Sequence, residues 1–167
     1  MKIGWYIAFA AASALSSGAH AQEAVVAAPD AEALFHSSDP KLDANKQVAY
    51  HIIKEILQAG HAEAADKYLS ERYIQHNPNH PSGREPIKKT FAMIKPRPIS
   101  EKISPTVVSV VAEGDMVIVA SVAKRTDPKT GNGYTTTHFD MWRIKDGKAD
   151  EHWDEAALGP PEGPPPG

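Results

Sequence analysis

The 167-residue chain contains no cysteine, which excludes disulfides and attachment as a lipoprotein. It has no basic excess either. Eighteen Lys and Arg stand against 21 Asp and Glu, for a balance of −3, and no basic patch offers a nucleic acid an electrostatic footprint. No internal repeat is visible. The apolar run Ile3 to Leu15 is too short for a bilayer-spanning helix. It follows Lys2 and precedes Ala19-His20-Ala21, so residues 1–21 read as a secretory signal peptide cut after Ala21. That reading implies a periplasmic or secreted protein with no membrane insertion after cleavage.

What is present is one domain with loose ends. Residues 22–41 are Ala-rich without periodicity and read as a linker. Residues 42–157 make the domain, and residues 158–167 (LGPPEGPPPG) form a disordered, polyproline-like tail. Asp39-Pro40 is an N-cap with proline at the first helical position, and Ala44, Val48, Ile52 and Ile56 recur as an apolar stripe up to Gly60. A shorter helix turns Ala62, Ala65, Tyr68 and Leu69 inward. His51 and His61 fall off these stripes and read as surface residues. A third helix begins at a capping box, Ser82-Gly83-Arg84-Glu85, and carries Ile87, Phe91 and Ile94.

Between the second and third helices, Tyr73 to Gly83 (YIQHNPNHPSG) is extended by its prolines. His76 and Asn77 lie there, on a loop that could project into a cavity. After residue 99 the period becomes that of strands. Residues 106–112 and 116–123 flank a Glu113-Gly114-Asp115 turn and are apolar at most positions, as strands covered on both faces would be.

The most distinctive stretch is a hairpin, Tyr134 to Glu155, turning at Asp146-Gly147. A two-residue turn pairs Lys145 with Lys148 and sets Asp140 opposite Trp153 and His138 opposite Glu155. A three-residue turn pairs Ile144 with Lys148, setting Asp140 opposite His152 and His138 opposite Asp154. The second register is favoured because it gathers the acid and base groups on one face and leaves Phe139, Met141 and Trp153 on the other.

The segments YIQHNP, GREPIKKTF, EGDMVIVAS and HFDMWRIKDGKADEHWDEA resemble, in this order, the SnoaL-like (polyketide cyclase-like) branch of the nuclear transport factor 2-like superfamily. The resemblance covers about residues 43–157. It implies an α+β, cone-shaped, cystatin-like fold: three N-terminal helices on a curved, mainly antiparallel sheet enclosing a hydrophobic pocket. It also implies frequent dimerisation through the outer sheet face and metal-free acid/base chemistry, without a cofactor. Asp154, in EHWD, matches the acid/base Asp of the cyclases, and Asp140 resembles the oxyanion-hole Asp of ketosteroid isomerases. Asn77 stands where the isomerases carry their base. Asp150 and Glu155 depart from the pattern, each replacing an expected apolar residue.

Proton abstraction beside a carbonyl needs a base near neutrality and a donor for the enolate oxygen. The expected assignment makes Asp154 the base, His138 its orienter, and Asp140 with His152 the donor side. Asn77, His76 and Tyr50 would contact a small hydrophobic substrate, with Trp142 as pocket wall. Two plainer readings of the same residues stand beside this: satisfied cross-strand pairs, or ligands of a divalent ion. The expected partner is a second copy, met through Phe139, Met141 and Trp153. A non-catalytic ligand-binding protein is the alternative function.

Overall fold

The computed structural model describes residues 23–104 and 106–156. The expected signal peptide, 1–21, and the tail, 158–167, lie outside the described residues. Five strands form a single sheet in the order β1-β5-β4-β3-β2: β1 Leu69–Gln75, β2 Val107–Glu113, β3 Met116–Thr126, β4 Gly133–Lys145 and β5 Lys148–Asp154. All neighbours are antiparallel except β1 with β5. Helices cover one face of the curved sheet, giving the expected α+β arrangement. Among the described residues no helix is long and apolar enough to cross a membrane.

The helical layer differs in detail from the three expected helices. A one-turn helix, α1 (Ala31–Leu34), comes first. Helix α2 (Pro40–His51) starts as read, with the Asp39 carboxylate accepting from the amides of Lys41 and Leu42. It continues as a π-helix over Ile52–Gln58. Its stripe is buried at Val48, Ile52 and Ile56 as read and departs only in the first turn, where Ala44 is exposed and Asn45 is buried, donating to the Gly114 carbonyl at 3.1 Å. Gly60, at φ 76°, ends it where any Cβ would meet Ile94 Cγ2 at 3.2 Å. The second helix is only a 3₁₀ turn and α3 (Ala65–Tyr68), because Leu69 already belongs to β1. The capping box before α4 (Arg84–Phe91) does not form. Ser82 Oγ accepts from the Gln75 amide instead, and Gly83 occupies the N-cap.

Residues 23–41, within the segment expected to be a linker, are folded onto the domain. The Val25 amide donates to Thr135 Oγ1 at 2.8 Å and the Ala28 amide to the Val107 carbonyl at 2.8 Å. Phe35 is fully buried, edge-on to Tyr50. One aromatic anchor and a four-residue helix leave no periodic trace, which is why composition alone suggests a linker.

Helix α2 lies across β2, β3, β4 and β5 and seals the core with Phe35, Ile56, Leu69, Val107, Val117, Val119 and Trp142. Each contributes roughly 1.5–3 kcal/mol by leaving water. Among the described residues, nothing covers the sheet's other face. Val111 on β2 is 57% exposed and Ile118 on β3 37%, with Phe139 on β4 at 49%, so β2 and β3 are not sandwiched as their apolar runs imply.

The β4–β5 register combines features of both turns considered. Asp146 and Gly147 have φ of 51° and 73°, and the turn is a two-residue one pairing Lys145 with Lys148 and Ile144 with Ala149. The ladder then shifts, so Arg143 faces Glu151, Trp142 faces His152, and Asp140 faces Asp154. Asp150 is the extra residue of a β-bulge. It is held there because its buried carboxylate takes Nε of Arg72 at 2.8 Å and the Ser70 hydroxyl at 2.7 Å. An uninterrupted two-residue-turn ladder would split the acid and base groups between faces. The bulge restores them to one face, with pairings different from those favoured.

Candidate active site

Alternation along β4 and β5 turns His138, Asp140, Trp142, His152 and Asp154 inward. Strand β1 adds Tyr73 and Gln75 on the same side, and the chain beyond it adds Asn77, because Gln75 is in register with His152. Gln75 and Asn77 are thus the row neighbours of His152 and Asp154. Their amides reach across: His152 Nδ1 lies 2.9 Å from Gln75 Oε1, and Asn77 Nδ2 donates to Asp154 Oδ2 at 2.9 Å. Gln75 Oε1 also accepts from the Asn77 amide at 3.1 Å, so one side chain ties the loop to the histidine.

Asp140 sits between two imidazoles. Its Oδ1 is 3.1 Å from His152 Nε2, and its Oδ2 is 3.5 Å from His138 Nε2. Burial alone would raise its pKa, but the bonds and charges of His138 and His152 outweigh this and hold it at about 2. His138 is raised to about 9, first by Asp140 and then by Glu155, whose Oε1 lies 2.7 Å from Nδ1. At neutral pH this pair is an imidazolium and a carboxylate. The expected oxyanion-hole role needs a protonated Asp140, which these two imidazoles disfavour.

Asp154 is the other carboxylate. The expected His138–Asp154 pair does not form, because the bulge moves Asp154 opposite Asp140 and leaves His138 to Glu155. Asp154 Oδ1 is buried without a hydrogen-bond partner among the described residues. Each oxygen of Asp140, by contrast, faces an imidazole nitrogen. Asp140, His152 and Asp154 each bring a donor atom within 4.8 Å of the other two, a spacing that could admit a divalent ion.

Two expected substrate contacts, His76 and Tyr50, lie elsewhere, and Trp142 has another place in the group. His76 points outward, since Gln75 and Asn77 on either side point in. It stacks on Trp153 at 4.5 Å and reaches Glu151 Oε2 at 3.1 Å. Tyr50 is buried on α2, packed on Phe35 and bonded to Lys54 Nζ at 2.9 Å. Trp142 is buried beneath the group, donating to the Tyr73 hydroxyl at 3.2 Å with His152 stacked 5.2 Å away. It is floor rather than wall. Gln75 and Tyr73 were given no role from sequence, and Glu155 stood out only as a departure from the family pattern. The odd-numbered run 73, 75, 77 was the signal for the first two. Two hollows of about 420 and 520 Å³ flank Gly133 and Tyr134 at the end of the β3–β4 ribbon, away from the His/Asp group.

Solved structures of similar shape are distant in sequence. A protein of Bacillus cereus ATCC 10987, named as a proposed polyketide cyclase, aligns with TM-score 0.51 and 17% identity, over 71% of this chain and 78% of its own. One from Acidithiobacillus ferrooxidans, named likewise, gives 0.47 and 20% over 67% and 87%. A Xanthomonas campestris protein with a cystatin-like fold gives 0.49 and 21% over 68% and 90%. No curated protein matches the sequence. The family model of the SnoaL-like domain matches residues 51–152, more than half of the chain and all of β1 to β4, and on that evidence this protein belongs to the SnoaL-like family.

Proposed function

We propose that this protein is an exported acid/base enzyme that cyclises or isomerises a small hydrophobic carbonyl compound. The observation that carries the reading is Asp154 Oδ1, buried and unbonded on the face that also holds a charged His138. Asp154 Oδ1 takes a proton from the carbon beside the carbonyl. The C–H electrons form the enolate double bond, and the carbonyl electrons move onto oxygen. His138 Nε2, whose 3.5 Å approach to Asp140 is too long for a strong hydrogen bond, donates its proton to that oxygen. As the enol oxygen returns its proton to His138 Nε2, the nucleophilic carbon either attacks a second carbonyl, whose oxygen takes the proton held by Asp154, or recovers that proton from Asp154 at another position. Asn77 holds the base, and Asp140 holds both imidazoles.

Asp154→Asn removes the base while keeping the shape and the Asn77 contact. Turnover of a 1,3-dicarbonyl or β,γ-unsaturated ketone probe should fall by roughly 10²–10⁴-fold with ligand affinity spared. Unchanged turnover in the variant would reject the assignment. The competing reading is ligand binding alone. It draws on the mutual pairing of Asp140, His138 and His152, and on hollows that lie away from them.

Export is part of the proposal and rests on the N-terminal pattern. Sequencing the mature N-terminus tests it, with Gln22 as the expected first residue. The proposed second copy would cover the outer row Val111, Ile118, Met141 and Trp153, consecutive ladder partners across four strands, with exposed Phe139 beside it. Solution molar mass twice that of the chain is the expected result; a monomer at all concentrations would reject it.

A further inference from the structure

Glu155 departs from the family pattern, lies just beyond β5, and is half-exposed, yet its carboxylate is fully engaged. Oε2 accepts the Phe139 amide at 2.9 Å and Oε1 meets His138 Nδ1 at 2.7 Å. Two anchors on consecutive residues of β4 fix the position of both oxygens. We infer that Glu155 is a positioning residue of the proposed reaction, deciding which nitrogen of His138 faces the acid/base group.

The chemistry follows from the donor inventory of imidazole. A carboxylate oxygen can only accept, so Nδ1 must carry a proton. Nε2 is then the nitrogen left to face Asp140, and it alone can give up a proton without breaking the shorter bond. Glu155 thus sets both the tautomer and the direction of donation. Charge adds to this. Among the described residues, the ionised groups acting on His138 are Asp140 on its own strand and Glu155, with Asp154 opposite Asp140 across the ladder. Its β3 partner, Ser121, is uncharged. Removing either carboxylate weakens the hold on the proton. The apolar residue expected at 155 would leave Nδ1 with water, free to carry either a proton or a lone pair.

The inference rests on the acid/base reading for its purpose, but its test needs no substrate. Long-range ¹H–¹⁵N NMR of the imidazoles follows both the midpoint and the tautomer of His138. Glu155→Gln loses the charge and keeps one acceptor oxygen, which the Phe139 amide takes, so its NH2 faces Nδ1: the midpoint should fall by about one pH unit and the neutral ring should turn to Nε2–H. Glu155→Leu should lower the midpoint and mix the tautomers, and Glu155→Asp should recover part of the midpoint. A His138 midpoint and tautomer unchanged in Glu155→Gln and Glu155→Leu would overturn the inference, whatever Asp154→Asn does to turnover. Far-UV circular dichroism checks that each variant is folded. If Glu155→Leu is not, the Glu155→Gln midpoint decides alone.

Discussion

The two faces of the β4–β5 hairpin carry similar residue types in different states. Inside, His138, Asp140, His152 and Asp154 sit with Trp142 against the core, and among the described residues only Asp154 keeps a buried oxygen without a partner there. Outside, Arg143 bonds Asp115 at 2.9 Å and Glu151 at 3.1 Å, while Glu151 also meets His76 and Trp153 is stacked between His76 and Arg143. The outer charges are arginine–carboxylate pairs near solvent, where screening leaves each worth about 0–1 kcal/mol. The inner ones are imidazole–carboxylate pairs in a place water reaches poorly, where each hydrogen bond moves a pKa. Polar residues on a strand therefore say little about chemistry until their face is known.

The largest effect should come from exchanging the faces. One alanine inserted between Glu151 and His152 turns His152 and Asp154 outward and drives Trp153 into the core. The cost should be on the order of the whole domain's stability, roughly 5–15 kcal/mol, seen as loss of cooperative thermal unfolding. A cooperative transition within a few degrees of wild type would show that the faces are interchangeable. Trp142→Ala is the next step down. It removes the floor under His152 and orphans the Tyr73 hydroxyl, and urea unfolding should report a loss of about 3–5 kcal/mol. A loss below 1 kcal/mol would mean the inner face tolerates a hole.

How much of this arrangement can be read from the chain depends on range. Local signals transfer well: Asp39 caps α2, Asp146-Gly147 turns the hairpin, and Gly114 turns β2 into β3 at φ 60°. Features set by distant partners do not. The bulge at Asp150 depends on Arg72, 78 residues away in sequence, and nothing near KADEH announces it. Strand β1 reads as SERYIQ, too polar to declare itself, because it is a sheet edge paired only with β5. That omission hides Gln75 and misplaces His76, whose direction follows from the register of β1. Glu155 is legible only as an anomaly. The positioning role inferred for it follows only once the bulge has carried Asp154 past His138.

Arg72→Met tests the residue that holds the bulge. Asp150 is 4% exposed and keeps Ser70 but loses its guanidinium, which should cost roughly 1–3 kcal/mol at pH 7. The bond from Arg72 holds the Asp150 pKa below its ordinary 3.8. A carboxylate with a folded-state pKa below its unfolded one stabilises fully above the unfolded value, and that stability goes as pH falls through the folded one. The gap between wild type and variant should therefore be complete at pH 7 and close progressively below about pH 4. A gap unchanged down to pH 2 would show that Arg72 acts by packing and not by charge.

The smallest change belongs on the outer face. Val111 is 57% exposed on β2, distant in the sheet order from β5, and Val111→Thr keeps the β-branched shape. Within one chain nothing is lost, so the unfolding free energy at high dilution should move by less than about 0.5 kcal/mol. The inner group should be equally indifferent, with the His138 titration unaltered. If a second copy covers the row Val111, Ile118, Met141 and Trp153, the hydroxyl is buried at that contact, and the dimer dissociation constant should rise about tenfold in sedimentation equilibrium. A variant that dissociates like wild type would move the contact off this row. One that loses stability as a monomer would show that this face is covered from within its own chain.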